Sequence, residues 1–289
     1  MEKPKLLSFG EVLWDRIDGQ DHLGGAPFNL AAHAVRCGTD ACLLTAVGRD
    51  ELGDRILEEM DRLGVRRNYV QRDPDHPTGT VTVELSAGGQ PSYRIHRGVA
   101  WDYIAVHPEM LASLAAERFA AVCFGTLAQR EPTSRATLEK VLEALPGVPA
   151  FFDVNLRQDY FSADLIRRGL QRATILKLND SEVRTVSELI FRRAWSLEDF
   201  CRAVQQAFAV RVVLVTLGEK GCLAGEGGHA QICPGRAVEV ADAVGAGDAF
   251  SAAFLAEWLR GKPVAEAAAA GNRRGAWVAS RRGAIPEEE

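Results

Sequence analysis

Short apolar runs alternate with helix-patterned segments along most of this 289-residue chain, and that rhythm limits the fold more than any single motif. Strand-like runs are read at Leu6–Leu13 (broken by Gly10 and Glu11), Ala41–Val47, Ala120–Phe124, Ala150–Val154, Ile175–Leu178 and Val212–Thr216. Helices are read after Gly24, stopped by Gly38; over Arg49–Leu63, closed by Gly64; and over the Ala-rich Val264–Ser280. Such alternation implies an α/β fold, a three-layer α/β/α sandwich whose central sheet is mostly parallel and covered on both faces. Two excursions interrupt it. Residues 14–24 read as a hairpin or loop, and residues 69–100 as a flap. In the flap, Thr80–Leu85 and Ser92–Arg97 alternate about a turn at Ala87–Gln90. With no linker or repeat, residues 1–289 are expected to form one domain carrying a small β lid.

A net charge of −5, with basic pairs dispersed along the chain, argues against a nucleic-acid binder. The six cysteines make no C-x-x-C and suit reduced core thiols. Neither a signal-peptide pattern nor a membrane-length apolar run is present, which points to the cytoplasm and to no membrane partner.

In open α/β sheets ligands bind beyond the carboxyl ends of the strands. Polar residues gather there: Asp15, Gly24, Gly25, the Asp153/Asn155/Arg157 alternation, Lys177–Asn179, Thr216–Gly218 and the stretch Asp242–Asp248. That last stretch carries the most chemistry. An apolar run, Ala237–Ala241, leads into it, and Phe250 and Phe254 begin an apolar helical stripe just after it. Gly245, Ala246 and Gly247 therefore sit where a loop becomes a helix, and unpaired N–H groups there favour an anion such as phosphate. A carboxylate in an anion site needs another role, and Asp248 suits a base that activates a nucleophile. The plainer alternative is a tight turn with Asp248 as a helix cap. A dinucleotide fingerprint fails because its third glycine would fall at Phe250. No Gly-x-x-x-x-Gly-Lys-Ser/Thr is present either.

The remaining candidates each have two readings. Asp153, Asn155 and Arg157 share one face of an extended chain, for a ligand or for a loop-stabilising ion pair. Asn179 and Glu182 have capping-box spacing. Asp15 suits sugar hydroxyls or a turn. Arg97, with His96, ends a flap strand and reaches a ligand or solvent. Thr216, Gly218 and Gly221 form a turn open to a nucleotide. Asn272 contacts a base or lies exposed.

Together these pieces resemble the ribokinase-like (PfkB) carbohydrate kinases over nearly the whole chain. Gly24-Gly-Ala-Pro-Phe-Asn29 is similar to the family's N-terminal signature and Asp242-Ala-Val-Gly-Ala-Gly-Asp248 to its C-terminal one. Between them lie Phe152–Arg157, Lys177–Glu182 and Val215–Gly221, and Gly10–Asp15 looks most like the fructokinase-type branch. The resemblance implies transfer of the γ-phosphoryl of ATP, with Mg²⁺, to a hydroxyl of a small sugar, fructose first. It implies Asp248 as the base and the N–H groups of Gly245, Ala246 and Gly247 as the anion hole. Asp15, Gly24, Gly25, Asn29, Arg97 and Arg157 would hold the sugar, and Thr216, Gly218, Gly221, Asn179 and Asn272 the nucleotide. Glu182, acting with Asn179, would be linked indirectly to Mg²⁺.

A K⁺ site beside Asp242 is a further expectation, but Ala243 stands where relatives commonly carry Thr, which removes a hydroxyl. Trp14 and Trp101 would reshape the sugar pocket. Pairing of flaps implies a homodimer. The rivals are a kinase for a ribose-like sugar, 2-keto-3-deoxygluconate or a nucleoside, and a non-catalytic sugar- or nucleotide-binding relative.

Overall fold

The computed structural model describes residues 3–17, 19–85 and 91–288. The chain runs β1 (Lys5–Phe9), β2 (Leu13–Ile17), β3 (Gln20–Gly24), α1 (Ala26–Arg36), β4 (Asp40–Gly48), α2 (Glu51–Leu63), β5 (Val70–Asp73), β6 (Gly79–Leu85) and β7 (Pro91–Ile95). Next come α3 (Pro108–Ala116), β8 (Ala121–Gly125), α4 (Pro132–Ala144), β9 (Ala150–Asp153), α5 (Ala163–Arg172), β10 (Ile175–Asn179) and α6 (Asp180–Phe191). Last are α7 (Leu197–Ala207), β11 (Val212–Thr216), β12 (Gly221–Glu226), β13 (His229–Pro234), α8 (Ala246–Leu259) and α9 (Val264–Ala279).

Among the described residues the larger sheet has nine strands in the order β13-β12-β11-β10-β9-β8-β1-β4-β5. All neighbours from β11 to β5 are parallel, while β12 and β13 pair antiparallel at the edge. The period of two along each strand divides its side chains between two cores. Leu6, Leu43, Cys123, Phe151, Ile175 and Leu214 pack with Phe28, Phe254 and Ala267 of α1, α8 and α9. Leu7, Leu44, Val122, Phe152, Leu176 and Val213 pack with Val141, Ile166, Val186 and Phe200 of α4 to α7. The chain leaves β1 for β4 on one side and returns as β8 on the other, so a crevice opens beyond the carboxyl ends of β1 and β8.

The two excursions join in a second sheet of order β3-β2-β6-β7. β2 and β3 form the expected hairpin, and β6 and β7 the expected antiparallel pair, but β2 lies parallel to β6. The turn at Ala87–Gln90 lies outside the described residues. The flap also starts later than its sequence pattern implies: Val70–Asp73 extends the large sheet beside β4. Ala237–Ala241 is not a strand. It has the alternation but pairs with no strand among the described residues: Ala241 N–H goes instead to Ala279 O at 2.9 Å, and Val240 is 63% exposed. Nor do the tryptophans shape a pocket. Trp101 is fully buried beneath the Arg130 guanidinium, and Trp14, 5% exposed, donates to Leu52 O at 3.0 Å. Both are core side chains. No helix among the described residues is long and apolar enough to cross a membrane.

Candidate active site

Helix α8 begins at Gly245, whose φ of 77° is the left-handed conformation glycine adopts without strain. A side chain there would also collide with Ala284, 2.5 Å from its carbonyl oxygen. The C-terminal segment thus presses directly on the loop, and Asp242 ties the two together. Its Oδ1 accepts the Val244 N–H at 3.0 Å and its Oδ2 the Gly283 N–H at 3.0 Å. Both carboxylate oxygens of Asp242 are therefore held by the protein backbone. In the first turn of α8, Ala246 N–H makes only a long turn bond, 3.3 Å, to Ala243 O. Gly247 and Asp248 occupy the following first-turn positions, where helix geometry gives N–H groups no intrahelical acceptor.

Asp248 is met from the other end of the sequence. Asn29 Nδ2 donates to its Oδ2 at 2.8 Å, joining residues 219 apart. Asn29 is placed by the start of α1, where Gly25 (φ 109°) precedes Ala26 and Pro27. A Cβ on Gly25 would lie 2.5 Å from Glu11 O, and one on Gly24 2.7 Å from Asp15 Oδ2. The paired glycines therefore let α1 begin against the turn that carries Glu11 and the strand that carries Asp15. Asn29 is buried, and its Oδ1 has no hydrogen-bond partner among the described residues.

Three carboxyl groups converge here. Burial, and then the negative charge of Asp153, push Asp248 up to about 6, opposed by the Asn29 hydrogen bond, Lys177 and Arg157. Burial raises Asp15 as well, against Arg157 and His22. Glu11, 3% exposed and with Oε2 unpartnered, is pushed by burial to about 7. The Arg157 side chain is exposed, yet its charge reaches all three carboxyls. Sequence reasoning gave Glu11 no role. Its signal was a lone acid interrupting the apolar run Leu6–Leu13.

The alternation of Asp153, Asn155 and Arg157 survives folding only in part. β9 ends at Asp153, and Asn155 takes φ 40°; Asp153 and Asn155 still line one cavity with Glu11, while Arg157 is exposed. Asp153 turns inward to Lys177, at 3.0 and 3.1 Å, and makes no pair with Arg157. Lys177, 7% exposed, is a second residue the sequence left without a function. Arg97 goes to Glu131 at 2.8 Å and over the Tyr160 ring, at a surface position.

On the side of β10 and β11, Asn179 and Glu182 form a capping box. Asn179 Oδ1 accepts the Glu182 N–H at 2.9 Å, and Glu182 Oε2 the Asn179 N–H at 2.8 Å. Glu182 Oε1 accepts Leu156 N–H at 2.8 Å, so both its oxygens are engaged. Thr216 closes β11 in register with Asn179, and Gly218 follows with φ 59° and open space at its Cβ. Gly221 is required by the protein itself, since a Cβ would lie 2.2 Å from Cys233 O. Asn272 is buried at 9% exposure. Its Nδ2 donates to Cys233 O and Pro234 O, at 2.8 and 3.1 Å, fastening α9 to the end of β13.

Residues 3–289 match the model of the pfkB family carbohydrate kinases. The chain belongs to that family. A fructokinase of Klebsiella pneumoniae is 30% identical over 87% of this chain and 83% of its own. An uncharacterized sugar kinase from Pyrococcus horikoshii, solved in complex with ATP, aligns with TM-score 0.81 at 27% identity, covering 97% of this chain and 94% of that one. A fructokinase from Vibrio cholerae, solved with fructose, ADP and potassium ion, shares the fold, with TM-score 0.83 at 23% identity over 98% and 94% of the two chains. The protein is thus a sugar kinase of the fructokinase-type branch, with the ribokinase-like α/β architecture.

Proposed function

We propose that the chain transfers the γ-phosphoryl group of ATP to a hydroxyl of fructose, with Asp248 as the general base. One contact carries the reading: the Asn29–Asp248 hydrogen bond of 2.8 Å, which brings both glycine-rich signatures onto a single carboxylate at the N-terminus of α8. Asp248 removes the proton as the hydroxyl oxygen attacks the γ-phosphorus and the bond to the ADP oxygen breaks. The N–H groups of Gly245, Ala246 and Gly247, with the helix dipole behind them, receive the transferring phosphoryl. Asp15, Glu11, Asn29 and Arg157 ring the acceptor, while Gly24 and Gly25 make room for it. Thr216, Gly218 and Asn179 face the nucleotide. Gly221 and Asn272 support that side from within the protein.

Among the described residues no cluster of three or more His, Cys, Asp or Glu could hold a metal. Mg²⁺ enters with the nucleotide, held chiefly by its phosphates, with Glu182 and Asn179 acting on it indirectly. Each carboxylate oxygen of Asp242 and Glu182 accepts one backbone N–H, which fixes the carboxylates and leaves a further lone pair on each oxygen. The small sheet acts as a lid whose edge strand β7, with Tyr93 54% exposed, pairs the chain as a homodimer. A monomer at micromolar concentration by sedimentation would remove that part.

The acceptor meets Glu11, Asp15 and Asp248, whose charges are opposed by Arg157 at all three, by His22 at Asp15, by Arg130 at Glu11 and by Lys177 at Asp248; such acceptor oxygens suit the hydroxyls of a neutral polyol. Hydroxyls donate to carboxylates, whereas an anionic acceptor is repelled by them. Arg157 supports the second reading, 2-keto-3-deoxygluconate, by offering that acceptor's carboxylate a partner. ADP release measured across fructose, ribose, 2-keto-3-deoxygluconate and a nucleoside tests the choice. Turnover with fructose at the highest kcat/KM is expected; preference for the acid would replace fructose, and no ADP release with any acceptor would refute the catalytic reading.

A further inference from the structure

The proposed transfer leaves one buried charged pair of the crevice without a role. Lys177 and Asp153 face each other in the register of β10 and β9, 7% and 6% exposed. The ammonium lies 3.1 and 3.0 Å from the two carboxylate oxygens. Their strand neighbours Phe152, Leu176 and Leu178 are fully buried apolar side chains. Two hydrophobic residues would join the strands at least as well, because dehydrating two ions offsets much of their attraction. A charged pair here calls for another reason, and its location supplies one. A Cβ on Gly247 would come within 3.2 Å of the Lys177 nitrogen, so the ammonium rests against the first turn of α8. Its field acts on Asp153, Asp248 and Glu182.

We propose that Lys177, held by Asp153, is a positioning residue for phosphoryl transfer: its ammonium adds positive charge to the first turn of α8, which carries Asp248. The inference rests on the reading of Asp248 as the base. Asp153 anchors the flexible lysine stem at its charged end, and the missing side chain of Gly247 leaves room for that end against the helix. Negative charge gathered on the phosphoryl group in flight then meets the amides and a fixed cation together, with no reorganisation needed at that moment. Asp248 is faced by Asn29 from α1, Glu11 from beyond β1, Asp153 from β9, Arg157 from the loop after β9, and Lys177 from β10. Of the two cations, Lys177 is the buried one.

Lys177→Met keeps the stem and removes the charge. The double variant Lys177→Met/Asp153→Asn also removes the carboxylate that would otherwise be left buried and unpaired, so it carries the test should the single variant fail to fold. Each is assayed with ATP and whichever of fructose, ribose and 2-keto-3-deoxygluconate the wild type phosphorylates. Both are expected to lose about 10²-fold in kcat, with KM for sugar and ATP little changed. In Lys177→Met the acid limb of the kcat–pH profile should move up by about one pH unit, whereas in the double variant it should not rise, because the Asp153 repulsion removed there outweighs the lost Lys177 attraction. A double variant with wild-type kcat would overturn the proposal and leave the pair a clip between strands. So would a Lys177→Met enzyme whose loss lies in KM alone, or whose acid limb stands still. Failure of the wild type to phosphorylate any acceptor, or full activity in Asp248→Asn, would instead sink the underlying reading and this inference with it.

Discussion

Replacing Asp248 with Asn should make the protein harder to unfold while it stops the reaction. The carboxyl is pushed from its ordinary 3.8 to about 6, chiefly by burial and by the Asp153 charge. Between those two values the folded chain holds a proton that the unfolded chain has released. Stability therefore falls as pH rises through that window, and the deficit is complete above about pH 6. At 1.36 kcal/mol per pH unit the gap corresponds to about 3 kcal/mol near pH 8. Asn cannot ionise, so the variant escapes that cost, though it accepts a weaker hydrogen bond from Asn29 than a carboxylate does. A net gain of about 1–3 kcal/mol is expected, read as a higher urea midpoint near pH 8 that shrinks towards nothing near pH 4. Activity should fall by roughly 10²–10⁴-fold. The wild type should gain kcat as pH rises through about 6. A variant less stable than wild type near pH 8 would contradict the electrostatic account, and near-normal turnover would remove Asp248 from the mechanism.

Two further substitutions separate neighbouring roles. Asn29→Ala deletes the donor that holds the Asp248 carboxylate ionised, so the acid limb of kcat should move above about pH 6 and kcat near pH 7 fall about tenfold, in line with a charge-assisted bond of about 1.5–3 kcal/mol; an unmoved limb would refute the coupling. Asn272→Leu leaves the Cys233 and Pro234 carbonyls without their partner; a stability loss of about 1–3 kcal/mol with little change in KM for ATP is expected, and a large rise in that KM without loss of stability would restore Asn272 as a base contact.

How far the site was legible depended on whether a residue's partner lies close in sequence. The capping box Asn179–Glu182 and the left-handed Gly64 behind α2 are local matters, decided by backbone geometry within a turn, and both formed as spaced. Ala237–Ala241 had the right alternation and formed no strand, because β-pairing needs an edge to dock on and alternation supplies none. Asn272 and Gly221 looked like nucleotide contacts from their positions, yet each answers to the backbone of Cys233 and Pro234. Trp14 and Trp101 looked like pocket walls and went to the core, where their large apolar area is better dehydrated.

From its amino acids alone the chain determined the alternation of strands and helices, the antiparallel strand pairs of the second sheet and the glycine-rich start of α8. These follow from side-chain period and from φ values only glycine takes freely. The tertiary structure alone decided that Asn29 would reach Asp248, that Glu11 would lie dehydrated beside them and that Lys177 would be held by Asp153 against Gly247. Charge and burial act through space, and the distances that set them exist only once strands far apart in sequence lie side by side.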